Sequence, residues 1–443
     1  MNKQYTVTRT KHKRQIWTIP GYLMPLLRLK QRDTVILQCG SAATRVRVHA
    51  KPAGSSDALQ MGLSAGALEA LKIPDNTSFQ IKPAGEKIFR LGPVIGILTF
   101  YSHIANQKLG YYKNTARMNI PNGLLYVFSG RHINVKNQTI NGYYYDHVHD
   151  TWTPGIFPFP DVVIDRCYPN VKIYHALLEK VIGPGKIFNK KSCINKLDFH
   201  TTLNANPFLK KHIPETGLFQ KSSDLTSYLL KHQEVFLKPV NAMEGKGIVV
   251  VKSTPKNLLA CKYMSGGRTV TRQIPAAGRI FSVLEAAAGR KRPYIIQQAI
   301  PRMKYRGGPF SFRTWAMKYG KGRWVIPGMF AKAASGDGFL TNFMAGAKLI
   351  PLKDLFNDIV PRLPYTKRQL IGMLEDLTLK TAAALDKKYG PLGELGLDII
   401  FDDKGKPWLI EANGNPGKIP IFIQKDYPLW RYLVYMYPLA YAS

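Results

Sequence analysis

The sequence predicts an α/β fold with α+β character, and three observations carry that expectation. Nearly uninterrupted apolar runs at residues 94–100 and 161–165 read as strands buried on both faces. Residues 367–389 place Leu370, Leu374, Leu377 and Leu385 at helical spacing between a capping signal and Gly390. Residues 394–417 form two apolar runs around the turn Asp403-Lys404-Gly405, the pattern of a β-hairpin. With 443 residues, of which 45% are hydrophobic and 21% charged, the chain suits about two or three globular domains and excludes wholesale disorder.

Taken in order, residues 1–90 read as a small, basic β-rich domain. Residues 1–50 hold ten Lys and Arg against the single acid Asp33, and residues 34–38 and 44–49 are short β-branched runs. The apolar stretch 16–29 is interrupted by Pro20 and Pro25, closed by Arg28 and Lys30, and followed by no small-residue cleavage pattern, so it is read neither as a leader nor as a membrane span. Cys39, Cys167, Cys193 and Cys261 are scattered without CxxC spacing, which points away from zinc and disulfide frameworks and towards a reducing, cytoplasmic setting. Residues 91–195 read as an α/β domain built on the strands at 94–100 and 161–165; the polar, tyrosine-rich stretch between them is assigned no fold.

Residues 196–443 form the third predicted domain. A short helix is expected over 199–211, strands over 235–238, 247–251, 294–298, 312–318 and 324–327, and a long helix over 367–389, where Thr366 and Gln369 make a capping box.

The chemistry concentrates in the last hairpin. A two-residue loop at Lys404-Gly405 sets Asp398 directly opposite Glu411, with Asn413 on the same side. Opposed carboxylates repel unless a proton or cation lies between them, and two carboxylates with an amide oxygen form a hard donor set suited to Mg²⁺ or Mn²⁺. Such clustering is informative because Asp and Glu total only 28 against 63 Lys and Arg, a net charge of +35. A second motif runs from Lys238, at the end of an apolar strand, through Gly245-Lys246-Gly247 to another apolar run. Glycine lets backbone N–H groups approach phosphate oxygens and lysine supplies a point charge, although no Walker A spacing is present. His147 and His149, beside Asp146 and Asp150, read as a solvated polar loop, and Arg302 to Arg306 as cations at the cleft.

In this order the motifs resemble the ATP-grasp superfamily, and within it the YheC/YheD-type endospore coat-associated family. The resemblance spans nearly the whole chain: residues 92–99, Ile213-Pro214-Glu215-Thr216, the glycine turn, Ile296-Gln297-Gln298 and the hairpin at 394–417. It implies an ATP-grasp domain that binds ATP with Mg²⁺ or Mn²⁺. Lys196 and Lys238 match the phosphate lysines, and Gly245, Lys246 and Gly247 match the flap over the triphosphate. Gln297, Gln298 and Ile300 match the hinge and adenine contacts. Arg313, Lys332 and Asn342 fall near the γ-phosphate and substrate, and Asp398, Glu411 and Asn413 match the metal ligands. The departures are Gln297 for the usual hinge acid, Ser311 for the Asp of an Asp-x-Arg motif, Ala345 for an arginine, and Gly346-Ala347 for a Gly-Gly turn.

The resemblance implies a ligase that activates a substrate carboxylate as an acyl-phosphate for attack by an amine, linked to the spore coat. The alternatives are a non-catalytic coat scaffold that binds polyanions and an ATP-grasp kinase. Partners are then ATP, a carboxylate, an amine, and an acidic polymer or coat component. The charge alone would also suit nucleic acid, but no recognised nucleic-acid module or RNP-type aromatic pattern accompanies it.

Overall fold

A computed structural model describes residues 3–51, 59–106, 108–117, 123–167, 171–242, 245–256, 258–289, 292–334, 339–418 and 428–442. Alternation builds its N-terminal region. Val35, Leu37 and Cys39 point inward along Thr34–Cys39, as do Val46 and Val48 along Ala42–Lys51. Seven such strands between Gln4 and Gly92 close into a barrel, which removes most free sheet edges. The turn between the two strands needs glycine at Gly40: φ is +53°, and a Cβ there would lie 2.1 Å from the Phe159 carbonyl oxygen.

The apolar runs become β1 (Val94–Thr99) and β3 (Val162–Asp165), flanking and parallel to one another, with β2 (Leu124–Ser129) parallel on the other side of β1 and β4 (Ile187–Phe188) beyond β3. The tyrosine-rich stretch, left without a fold by the sequence, contains several short elements. They are helices Tyr101–Ala105 and Gly110–Arg117, strand β2, and the hairpin Thr139–Asp146/Thr151–Pro158. His147 and His149 lie in that hairpin's turn, where His149 Nδ1 is 2.7 Å from Asp146 Oδ2. Helix α1 (Lys172–Ile182) packs back on the sheet. Tyr5, Trp17 and Phe79 of the barrel share one apolar cluster with Tyr126, Phe128 and Phe157 of the sheet.

The chain divides into two compact units: Met1–Ser192 with Lys318–Arg323 and Tyr435–Ser443, and Cys193–Met317 with Trp324–Val434. The second contains two sheets. Its first is antiparallel, built from β5 (Thr216–Phe219), β6 (Glu234–Pro239), β7 (Val249–Ser253), β8 (Leu259–Ser265), β9 (Arg268–Ile274) and β10 (Tyr294–Gln298) in the order β5-β10-β6-β7-β8-β9. Helices α3 (Ser222–His232) and α4 (Ile280–Ala288) cover one face, meeting Val235, Leu237, Val249, Val251 and Ile296. α2 (Lys196–Asn204) precedes this sheet.

The second sheet contains β11 (Gly308–Tyr319), β12 (Arg323–Ala333), β13 (Lys348–Ile350), β14 (Glu394–Phe401) and β15 (Pro407–Asn413) in the order β13-β12-β11-β14-β15. Leu397, Ile399 and Leu409 face α5 (Lys367–Tyr389), which contributes Leu370, Leu374, Leu377 and Leu385 to the same core. The capping box forms as expected: Gln369 N–H donates to Thr366 Oγ1 at 3.3 Å, and Thr366 N–H donates to Gln369 Oε1 at 2.8 Å. The helix expected over 199–211 is instead α2 followed by a 3₁₀ turn, Leu209–His212. Asn195 starts it early by accepting the Leu197 and Asp198 N–H groups, and Pro207 disfavours helix at Asn206. In Gly289-Arg290-Lys291-Arg292, a stretch of three consecutive cations, positions 290 and 291 lie outside the described residues. Among the described residues no helix is long and apolar enough to cross a membrane.

Candidate active site

The β14–β15 hairpin sets Asp398 opposite Glu411, by a route that the sequence did not indicate. The loop holds three residues, 403–405, closed by Asp402 N–H to Lys406 O at 3.0 Å with Gly405 at φ +81°. That register pairs Phe401 with Pro407 and Ile399 with Leu409, one residue out from the expected alignment. A bulge then inserts Ile410 and restores the pairing at Asp398. The extra residue has a consequence: Leu409 and Ala412 still reach the core, while Ile410 and Glu411 both line the cleft.

Asp398 is 5% exposed and heavily engaged. Arg313, its cross-strand partner on β11, donates Nε to Oδ1 at 2.5 Å and Nη2 to Oδ2 at 2.8 Å. Lys332 on β12 donates Nζ to Oδ2 at 3.2 Å. Burial raises the carboxyl's pKa, but Arg313 and Lys332 outweigh it and hold the group well below the usual carboxylate range. Burial in turn lowers the Lys332 pKa, only partly offset by Asp398. Glu411 has its side chain 29% exposed, with Oε1 4.0 Å from Arg313 Nη2. The Ser311 hydroxyl, standing where an acid is usual, donates to Thr341 Oγ1 at 2.8 Å and ties β11 to the loop that carries Asn342.

The opposite wall comes from β6 and β10. Lys238 is 6% exposed and donates Nζ to Gln297 Oε1 at 2.5 Å. Gln297 Nε2 donates to His200 Nε2 at 2.7 Å and to Thr216 Oγ1 at 2.9 Å. Gln297 therefore anchors the lysine, with its amide already engaged at both ends. Burial pushes the Lys238 pKa down to about 7; Lys196 and Arg302 add to the fall, and Glu411 opposes it. Burial likewise lowers His200 to about 3 and Arg302 to about 10. Arg302 lies over the Phe236 ring at 5.6 Å and donates to the Phe339 carbonyl at 2.8 Å.

Lys196, the first residue of α2, donates Nζ to the Ala242 carbonyl at 2.5 Å, beside the glycine turn. Gly245 and Gly247 both have positive φ, +76° and +74°, and a Cβ on Gly245 would lie 2.7 Å from Asn342 Nδ2. The turn thus packs directly against the Asn342 loop, and Ile248, Val250, Phe339 and Leu340 join the two in a small apolar cluster. Lys246 is exposed on the turn. Gln298 accepts the Glu215 N–H at 3.2 Å through Oε1, and Ile300 is 7% exposed on the cleft wall.

Of the residues singled out by sequence, Lys238, Gln297, Gln298, Ile300, Asn342, Asp398 and Glu411 line one cavity of about 70 Å³. Lys332 and Arg313 reach it through Asp398, and Gly245 packs against Asn342 at its edge. Asn413 pairs with Gly396 and bridges to Cys193 through its backbone. Sequence reasoning missed His200, Thr216, Leu340 and Ile410: the first two are far in sequence from Gln297, and a bulge leaves no compositional mark.

Among the described residues no group of three His, Cys, Asp or Glu side chains converges, so a cation here would have to draw on the Asp398 and Glu411 carboxylates and a neutral amide oxygen. That set fits a hard cation. Asp398 Oδ1 accepts one hydrogen bond and keeps a second lone pair, Glu411 lies within direct reach of Asp398, and Asn415 Oδ1 is a buried amide oxygen without a partner.

The sequence model of the family described as YheC/D like ATP-grasp matches residues 185–443. The endospore coat-associated protein YheD of Bacillus subtilis (strain 168) is 27% identical over 342 residues, covering 74% of this chain and 73% of that protein. The endospore coat-associated protein YheC of the same organism is 25% identical over 285 residues, covering 62% of this chain and 75% of that protein. Among solved structures, D-alanyl-alanine synthetase A from Vibrio cholerae is 13% identical with a TM-score of 0.45, covering 78% of this chain and 97% of that one. The D-cycloserine synthetase DcsG is 10% identical with a TM-score of 0.46, covering 78% and 99%.

Proposed function

The chain belongs to the YheC/D-like ATP-grasp family, and from that premise we propose that it is an ATP-dependent ligase joining a carboxylate to an amine. The observation that carries this reading is the charge arrangement of the cleft: Lys238, Arg302, Arg313 and Lys332 surround the carboxylate pair of Asp398 and Glu411. A triphosphate would supply the negative charge that this arrangement lacks, and would bring its divalent cation with it. Asp398, Glu411 and Asn413 are the residues to hold the cation, which would neutralise charge on the phosphate oxygens.

In the proposed sequence a substrate carboxylate oxygen attacks the γ-phosphorus and ADP leaves, giving an acyl-phosphate. The amine nitrogen then attacks the acyl carbon, phosphate departs, and the nitrogen loses its proton. Lys238, Lys246 and Arg313 stabilise the negative charge that develops on the transferring group. Lys238 is suited to this, because a buried ammonium with a pKa near 7 gains most when an anion meets it. Lys332 keeps Asp398 ionised, and the glycine turn with Asn342 shields the reacting phosphate from water.

The test is an ADP-release screen over amino acids, peptides and envelope precursors, with hydroxylamine as a trap. A ligase gives a hydroxamate from its carboxylate substrate, whereas a kinase gives none. A second reading, a coat-associated scaffold without turnover, is favoured by the +35 charge and by the coat association in the names of both relatives. Nucleotide separates the two: Mg-ATP at about 100 times its Kd stabilises a binding fold by roughly 2.7 kcal/mol. An unchanged melting temperature at saturating Mg-ATP would remove the ligase reading.

A further inference from the structure

Beside the cleft, and sharing only Gln298 with its lining, the second unit holds a larger cavity of about 540 Å³, bounded by α2, the Leu209–His212 turn, β5 and the start of β15. We propose that this cavity is a separate anion-binding site for a carboxylate or phosphate group, and that it communicates with Lys238 through His200 and Gln297. The anion site stands on its own observations; the communication rests on the cleft being a nucleotide site.

The Lys238 ammonium group has no lone pair, so the Gln297 oxygen must face it, and the Gln297 amide N–H groups must face His200 and Thr216. His200 Nε2 is therefore an acceptor, and the proton of the neutral imidazole resides on Nδ1. This nitrogen is buried without a partner, on a ring that is 4% exposed and forms part of the cavity wall. A buried N–H left unbonded is unfavourable, and an acceptor in the cavity would satisfy it.

The wall selects the sign of that acceptor. Lys210, Lys211 and Lys406 line it, and Lys406 Nζ is fixed 3.9 Å from the centroid of the Trp408 ring. Glu215 also lines it, but its carboxylate is bonded to Lys231 at 2.5 Å and to His232 at 3.2 Å. Three cations and one orphaned N–H donor describe a receptor for a carboxylate or phosphate.

Communication follows from hydrogen-bond polarisation. An anion accepting the Nδ1 proton makes Nε2 a better acceptor, which strengthens the Gln297 N–H bond and locks the amide oxygen on Lys238. The charged form of Lys238 is thereby favoured, so anion and triphosphate should each tighten binding of the other by the same factor.

The experiment uses the full chain. Inorganic phosphate and, separately, acetate are titrated while the His200 imidazole is followed by nitrogen-15 NMR, in the parent and in Lys210→Glu/Lys211→Glu. The expected result is saturable binding of at least one anion, a shifted Nδ1–H resonance, and at least tenfold weaker binding in the double variant. Preference for phosphate or acetate identifies the ligand class. No saturable binding, an unmoved His200 signal, or equal binding by the double variant would overturn the site. The titration is then repeated with a non-hydrolysable ATP analogue and Mg²⁺, where affinity should rise several-fold. Unchanged affinity overturns the communication, and competition overturns the separateness of the site. Failure of the analogue to bind overturns the nucleotide reading and the communication with it, while the first titration still decides the anion site.

Discussion

The two walls of the cleft treat a buried charge in opposite ways. On β6, the Lys238 ammonium is held by the neutral Gln297 amide, and its pKa falls to about 7. On β14, the Asp398 carboxylate is held by two cations, Arg313 and Lys332, and its pKa falls below the ordinary range despite burial. One wall lacks a counter-charge and the other has an excess of it. Both imbalances have the same sign, so the cleft as a whole awaits an anion, and the contrast identifies which groups change most when one arrives.

The largest expected effect comes from breaking the over-neutralised wall. Arg313→Met leaves Asp398 buried with Lys332 alone and should destabilise the protein by about 3–5 kcal/mol in urea unfolding. Adding Asp398→Asn should recover much of that loss, because the uncompensated charge is then gone. Glu411→Gln tests the same wall through activity. It should reduce ADP release by roughly 10²–10³-fold while leaving the melting temperature unchanged, since the side chain is 29% exposed. Unchanged ADP release would withdraw Glu411 from the site.

The other wall is read through protons. A lysine titrating near 7 is mostly neutral at pH 8, and a triphosphate would charge it, so nucleotide binding at pH 8 should take up close to one proton. Calorimetry in buffers of different ionisation enthalpy measures this uptake. Because the folded pKa lies below the unfolded value of about 10.4, the unfolded chain binds more protons between those limits, and Lys238 makes stability rise with pH from about 7 to 10. Lys238→Met should flatten that rise. The smallest effect is expected at the seam between β11 and the Asn342 loop, where Ser311→Ala removes one hydroxyl bond to Thr341 and should cost about 1 kcal/mol.

The hairpin illustrates how far sequence reading extends. Asp398 and Glu411 stood out because acids are scarce, and they do face each other. The assumed two-residue loop is a three-residue one, and the pairing survives only because Ile410 bulges. Turn length follows from local backbone preference, whereas the bulge is selected by the core, which needs Leu409 and Ala412 together. Likewise α5 was legible from end to end, since its cap, period and stop are all local, but α2 began before its apolar positions because Asn195 caps it.

The chemical cast of this protein was therefore written locally: the basic excess, the buried strands, the capped helix, the lysine and glycine turn, and the acidic pair. Local signals could not assign partners. That Gln297 spends its amide on Lys238 and His200, that Arg313 grips Asp398, and that Gly245 meets Asn342 all depend on segments far apart in the chain. Such contacts follow from how the two sheets pack, and burial then decides what each charge is worth. A lysine has the same structure everywhere, but its proton is loosely held only where the surroundings exclude water and offer no anion.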